Sequence, residues 1–169
     1  PQDRSSAASD VYKRQPIQNV LGKTGAAIAS PLILVIGWGS WSLVPILLSW
    51  GVRFLLHIGS ERAVGRLIFV PIAIALSSVY AASIVPVDKW IHSFGMGGLF
   101  GDTIVGSLLA FFPLSPSNGI LTITLTSLLL TSILNIFCAG FTGLEIKKII
   151  RFLYKLSLIH ISEPTRPLD

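Results

Sequence analysis

The chain has 169 residues, of which 51% are hydrophobic and only 12% charged, with a formal net charge of +5; its mean hydropathy is +0.73. A water-soluble domain of this size carries about 25% charged residues, so the composition argues against that class and for a membrane protein. The basic surplus sits in short clusters between apolar runs, a distribution that bears on membrane orientation before nucleic acid.

The two ends differ in kind from the middle. "DVYKRQ", Asp10 to Gln15, has a permitted coding sequence, GAT GTG TAT AAG AGA CAG, whose reverse complement translates as "LSLIHI", Leu156 to Ile161. The longer stretches "SSAASDVYKRQ" and "LSLIHISEPTR" resemble translated transposase-adapter sequence, so residues 1–15 and 156–169 are set aside as adapter-like and non-native. The alternative is a solvated basic arm and a polar tail. The chain begins at Pro1 and its one methionine is Met96, so residues 16–155 are expected to form an internal fragment of a longer protein.

The first long apolar run, Thr24 to Val52, is 29 residues without a charge, more than the ~20 a single crossing needs. "GWGSW" interrupts it. The expectation is a short interfacial helix over about 24–36 and a span over about 40–57, kinked at Pro45, with Trp38 and Trp41 at the interface. One long tilted helix stays open as an alternative. The second span is expected at 67–85, closed by Pro86, with Ala73, Ser77 and Ala81 as a small-residue stripe for close helix approach.

Gly95 to Phe112 predicts a second short apolar helix over about 97–112, marked by Gly97, Gly98, Gly101 and Asp102, and the Pro/Ser/Asn turn after it leads into the third span, 119–141. There Ser127, Thr131, Asn135 and Ala139 repeat the four-residue spacing. Asn135 in mid-span is expected to hydrogen-bond another helix, with its own backbone as the alternative partner. A glycine-marked helix followed by a span occurs twice, an internal likeness. The fold class is therefore all-α: a polytopic membrane bundle of three spans plus short interfacial helices.

Orientation follows from Arg53, Arg62 and Arg66 after the first span, and Lys147, Lys148, Arg151 and Lys155 after the last, against Lys23 and Lys89 on the other side. The arginine-rich loop and the C-terminal end are thus expected in the cytoplasm, with an odd number of spans before Pro16. Arg53 and Arg66 are expected to snorkel to the headgroups.

No residue set carries chemistry. Ser40 with His57 or His92 imitates a hydrolase set, but the histidines belong to opposite loops. His57, His92, Cys138 and Glu61 lack metal-ligand spacing, and "GKTG" is no phosphate loop. Cys138 reads as a packing residue. Asp102 reads either as a first-turn anion at the positive end of a helix or as an ion-coupling carboxylate.

"NVLGKTGAAIASPLILVIGWGSWSLVPILLSWGVRFLL", followed by "GGLFGDTIVGSLLAFFP" and a last span, resembles the four-helix membrane domain of FtsK/SpoIIIE-type DNA translocases over Asn19 to Phe152. The resemblance implies an anchor in the bacterial inner membrane at the division septum, both ends cytoplasmic, one span missing before Pro16, and a hexameric ATP- and magnesium-dependent motor beyond Lys155. It implies that DNA is met only through that motor, and that division-machinery membrane proteins dock on the outer loops, Val87 to Asn118 especially. The fragment itself is then neither catalytic nor a cofactor site. The alternative is a piece of a small-molecule permease.

Overall fold

The computed structural model describes residues 19–88, 90–112 and 115–161, and all regular structure among them is helical. In chain order the helices are α1 (Gly22–Ile36), α2 (Leu43–Leu55), α3 (Ala63–Leu67), α4 (Val70–Ala82), α5 (Gly98–Phe111), α6 (Pro116–Cys138) and α7 (Gly143–Ile161), with 3₁₀ turns at Gly37–Ser42 and Ser60–Arg62. The adapter-like residues 1–15 and 162–169 lie outside the described residues, and α7 runs on through 156–161.

Among the described residues two helices are long and apolar enough to cross a membrane, or up to three if one bent pair is a single span. The first is the whole of Gly22–Leu55, 34 residues, roughly 50 Å at the helical rise. The expected interfacial helix and span are therefore joined. Gly37, at φ +58°, breaks the α-helical ladder, but the 3₁₀ turn carries the chain on, closing with Leu43 N–H donating to the Ser40 carbonyl. Pro45 sits in the first turn of α2, where the donor it lacks has no intrahelical acceptor, so the irregularity belongs to the glycines and not to Pro45.

The second expected span, 67–85, is shorter and bent: Ser60–Leu67 and Val70–Ala82 meet at 54°. Pro71, in the first turn of α4, explains the break, because it has no N–H to continue a ladder from α3. The third, expected over 119–141, is α6, and the short helix expected over 97–112 is α5.

The core sets two large side chains among small ones. Ile46, Trp50, Ala63, Ala73 and Cys138 form one buried cluster. α4 is its hub, packed against the Gly37–Ser42 turn, α5 and α6. Elsewhere large apolar side chains point outward, Leu47, Leu129 and Ile133 among them, as lipid-facing positions do in a membrane domain.

Candidate functional site

Two constructions dominate the bundle. One is a glycine-lined crossing centred on Ser78, which is fully buried. A Cβ added at Gly39 would lie 2.5 Å from Ser78 N, at Gly101 2.4 Å from Ser78 O, and at Gly97 2.4 Å from the same oxygen. Three backbone segments thus touch α4 at van der Waals limit, a separation only glycine permits. Gly37 and Gly98 oppose each other, both at positive φ (58° and 67°).

That crossing also satisfies the polar groups it frees. The Ser78 hydroxyl donates to the Gly97 carbonyl at 2.6 Å. The Trp38 amide, orphaned by the glycine break, donates to the Met96 carbonyl at 2.7 Å. In a lipid-filled surrounding such groups have no water to turn to, so cross-segment bonds carry the break. The adjoining loop is pinned by aromatics: Trp90 meets Trp38 edge-on at 6.4 Å, and His92 stacks on Phe94 at 5.0 Å.

Asp102 is not in the first turn of its helix, which starts at Gly98. It lies one turn on and accepts the Gly95 amide at 2.6 Å, so its carboxylate closes the loop ahead of α5. The first-turn reading is corrected by this register. Gly97, Gly98 and Gly101 are buried; the exposed face of α5 carries Leu99 and Phe100.

Along α4 and α6 the small residues face inward. Ala73, Ser77, Ala81, Ser127 and Ala139 are buried, with Thr131 and Asn135 half-buried. Asn135 donates to Ser77 Oγ at 3.2 Å and to the Thr131 carbonyl at 2.9 Å. Interhelical and own-backbone partners are thus taken together. Thr131 Oγ1 and Asn135 Oδ1 are buried without a partner among the described residues.

The other construction gathers the ends of α2, α6 and α7. Trp50 Nε1 donates to the Cys138 carbonyl at 2.6 Å and Ser49 Oγ to the Ala139 carbonyl at 2.5 Å. α6 then terminates in a left-handed Gly140 (φ +88°), with Gly140 and Phe141 amides returning to the Phe137 and Ile136 carbonyls, the Schellman arrangement. Arg53 Nε would be 2.8 Å from a Cβ there.

Arg66 donates to the Phe137 and Phe141 carbonyls at 3.1 Å each, a cation at the negative end of α6. Arg53 forms a two-pronged ion pair with Glu145, 2.8 and 3.5 Å. Their guanidinium groups lie 5.3 Å from the Phe141 ring and 5.1 Å from the Phe137 ring, respectively. The Arg53 and Arg66 guanidinium groups, expected to reach the headgroups, thus also hold protein acceptors: the Glu145 carboxylate and the last carbonyls of α6.

Glu145 also accepts the Thr142 amide at 2.9 Å while its own amide donates to Thr142 Oγ1 at 3.3 Å, a capping box that starts α7. The Arg53 hydrogen bond first, and the Thr142 amide second, lower its pKa to about 2. Arg62, Lys147, Lys148 and Arg151 are exposed, and Lys89 lies outside the described residues.

These geometries hold helices; they do not assemble reactive groups. Ser40 Oγ donates to the Gly37 carbonyl at 2.8 Å. Among the described residues no three His, Cys, Asp or Glu side chains converge to hold a metal.

A polytopic α-helical membrane domain built on close glycine and serine contacts, with an arginine clamp at one end, is the class these features define. The family model for the 4TM region of DNA translocase FtsK/SpoIIIE matches residues 1–151, and the chain belongs to that family. Neither the curated proteins nor the solved structures compared with the chain include a match.

Trp50, Ser78, Gly39 and Glu145 were missed by sequence reasoning. "TGLE" ahead of an apolar run is the visible signal for the capping box. Ser78 had no such signal, because it sits one position off the stripe drawn through Ser77.

Proposed function

We propose that the chain is the membrane anchor of an FtsK/SpoIIIE-type DNA translocase at the division septum, with the arginine end and the C-terminal segment in the cytoplasm. The observation that carries this is the match of residues 1–151 to that family's 4TM region. The orientation is supported by the joining of Arg53, Arg66 and the start of α7 at one end of the bundle, the end from which a cytoplasmic motor would continue.

The anchor's work is mechanical. An ATP- and magnesium-driven ring pulling on DNA loads the segment after α7, and the clamp passes that load from Glu145 to Arg53 and so to α2. Self-association of the anchors matches the ring, and division-machinery membrane proteins meet the outer loops. Because Gly97, Gly98 and Gly101 are occupied by contacts with α1 and α4, the partner surface on α5 is the exposed Leu99 and Phe100.

The test is a fluorescent fusion of the chain in dividing bacterial cells. A band at the septum is the expected result, and Leu99→Ser with Phe100→Ser disperses it while membrane insertion persists. Uniform envelope fluorescence from the unmodified chain contradicts septal targeting. A septal band from the double variant removes α5 as the partner surface.

A further inference from the structure

The helix after the clamp has a use that anchoring by spans does not account for. On α7 the residues Ile146, Ile149, Ile150 and Leu153 fall at i, i+3, i+4 and i+7, which makes one apolar stripe. Lys148, Arg151 and Lys155 fall at i, i+3 and i+7, with Lys147 beside them, on the opposite side. Among the described residues the stripe is largely uncovered beyond a half-buried Ile146: Ile150 is 61% and Leu153 55% exposed.

The position of α7 is fixed at its start. α6 ends at the left-handed Gly140 and α7 begins at the Thr142/Glu145 capping box, so the helical rod is interrupted between Cys138 and Gly143, where the span ends. The Arg53–Glu145 pair ties that start to α2. An amphipathic helix beginning at the level where spans leave the hydrocarbon, with cations on its polar side, matches an anionic bilayer surface in both shape and charge.

We propose that residues 143–155 of α7 lie in the plane of the membrane, with Ile146, Ile149, Ile150 and Leu153 among the acyl chains and Lys147, Lys148, Arg151 and Lys155 against anionic lipid headgroups. This rests on the membrane embedding of the preceding helices, but not on septal targeting or on the motor. The helix acts as a brake on the membrane: pulling on the C-terminal segment must first peel it from the surface.

The test uses the full chain with Cys138→Ala, carrying one environment-sensitive fluorophore at Leu153→Cys on α7 or, separately, at Leu129→Cys on the outward face of α6. It is placed in nanodiscs of phosphatidylcholine with or without phosphatidylglycerol, containing acyl-chain quenchers. The expected result is quenching at both positions with phosphatidylglycerol. With Lys147→Gln, Lys148→Gln and Arg151→Gln only the quenching at Leu153 falls, by about fivefold in the bound-to-free ratio per cation neutralised, and without phosphatidylglycerol it is lost likewise.

Quenching at Leu129 with a water-exposed Leu153 in phosphatidylglycerol overturns the proposal and leaves the anchor standing. A Leu153 probe shielded equally in both lipids, and crosslinking to a second copy, assigns the stripe to protein contact and also overturns it. A water-exposed Leu129 overturns the membrane reading itself, and this proposal with it.

Discussion

Arg53 and Glu145, 92 positions apart in the chain, meet at 2.8 Å and join the end of α2 to the first turn of α7. The pair is partly in solvent, the Arg53 side chain keeping 12% and the Glu145 side chain 36% exposure, so its value lies in fixing where α7 begins more than in raw stability.

The pair makes the junction pH-sensitive in a defined sense. Glu145 has its pKa lowered from 4.5 to about 2, chiefly by Arg53. A depressed carboxyl pKa adds stability that is complete above the unfolded value and is lost as pH falls through the folded one, here from 4.5 down to about 2. Hydrogen exchange at the Thr142 amide should accelerate, relative to the intrinsic rate, across that window. Glu145→Gln should exchange fast throughout and lose the pH step; a step that survives in this variant assigns it to another group.

The glycines around Ser78 should be unequal to other glycines. Gly101→Val and Gly39→Val push side chains into Ser78 backbone and should each cost at least about 1–3 kcal/mol, the usual range for overpacking. Gly106→Ala, where a Cβ meets open space inside α5, should be neutral or gain up to about 1 kcal/mol. Thermal unfolding in detergent ranks the three variants, and equal melting temperatures would deny the crossing its role.

Ser77 and Asn135 should be coupled modestly. Interhelical hydrogen bonds of this type average about 0.6 kcal/mol in membrane proteins, and the 3.2 Å bond between them competes with the Asn135 bond to its own helix. A double-mutant cycle on Ser77→Ala and Asn135→Ala should return a coupling of about that size. Strict additivity would mean that the two side chains act independently.

α2 ends with His57 in the left-handed region, φ +56°, its amide and that of Ile58 returning to the Phe54 and Arg53 carbonyls. A residue with a Cβ costs roughly 1–2 kcal/mol there, and His57→Gly removes part of that. The melting temperature should rise slightly, the gain being offset by the greater freedom of glycine in the unfolded chain. A fall would show that the imidazole makes a stabilising contact.

Much of the architecture was legible in the sequence where length and hydropathy speak without interference. α5 and α6 lie within a few residues of their expected bounds, since "GMGG" and the Pro113–Pro116 segment punctuate them. The span from Leu67 misled because its apolar composition is continuous while its backbone is not: Pro71 breaks the ladder without changing hydropathy. Gly37 and Gly39 read as a separator between two helices, and a 3₁₀ turn does stand between Ile36 and Leu43; the pattern is silent on their second role, contact, since they let α4 and the Met96–Gly98 segment approach. The arginines were read by charge alone, which marks an end of the bundle but not the carbonyls and carboxylate that hold them.

The central claim is that these helices span a membrane with the arginine loop inside the cell. Its most direct measurement is labelling by a membrane-impermeant maleimide in a Cys138→Ala background, with Ser60→Cys in the arginine loop or Ser93→Cys in the loop before α5. The account predicts that Ser93→Cys reacts from outside once the inner membrane is exposed, and that Ser60→Cys reacts only after that membrane is opened. Labelling of Ser60→Cys from outside, with Ser93→Cys protected, would contradict it.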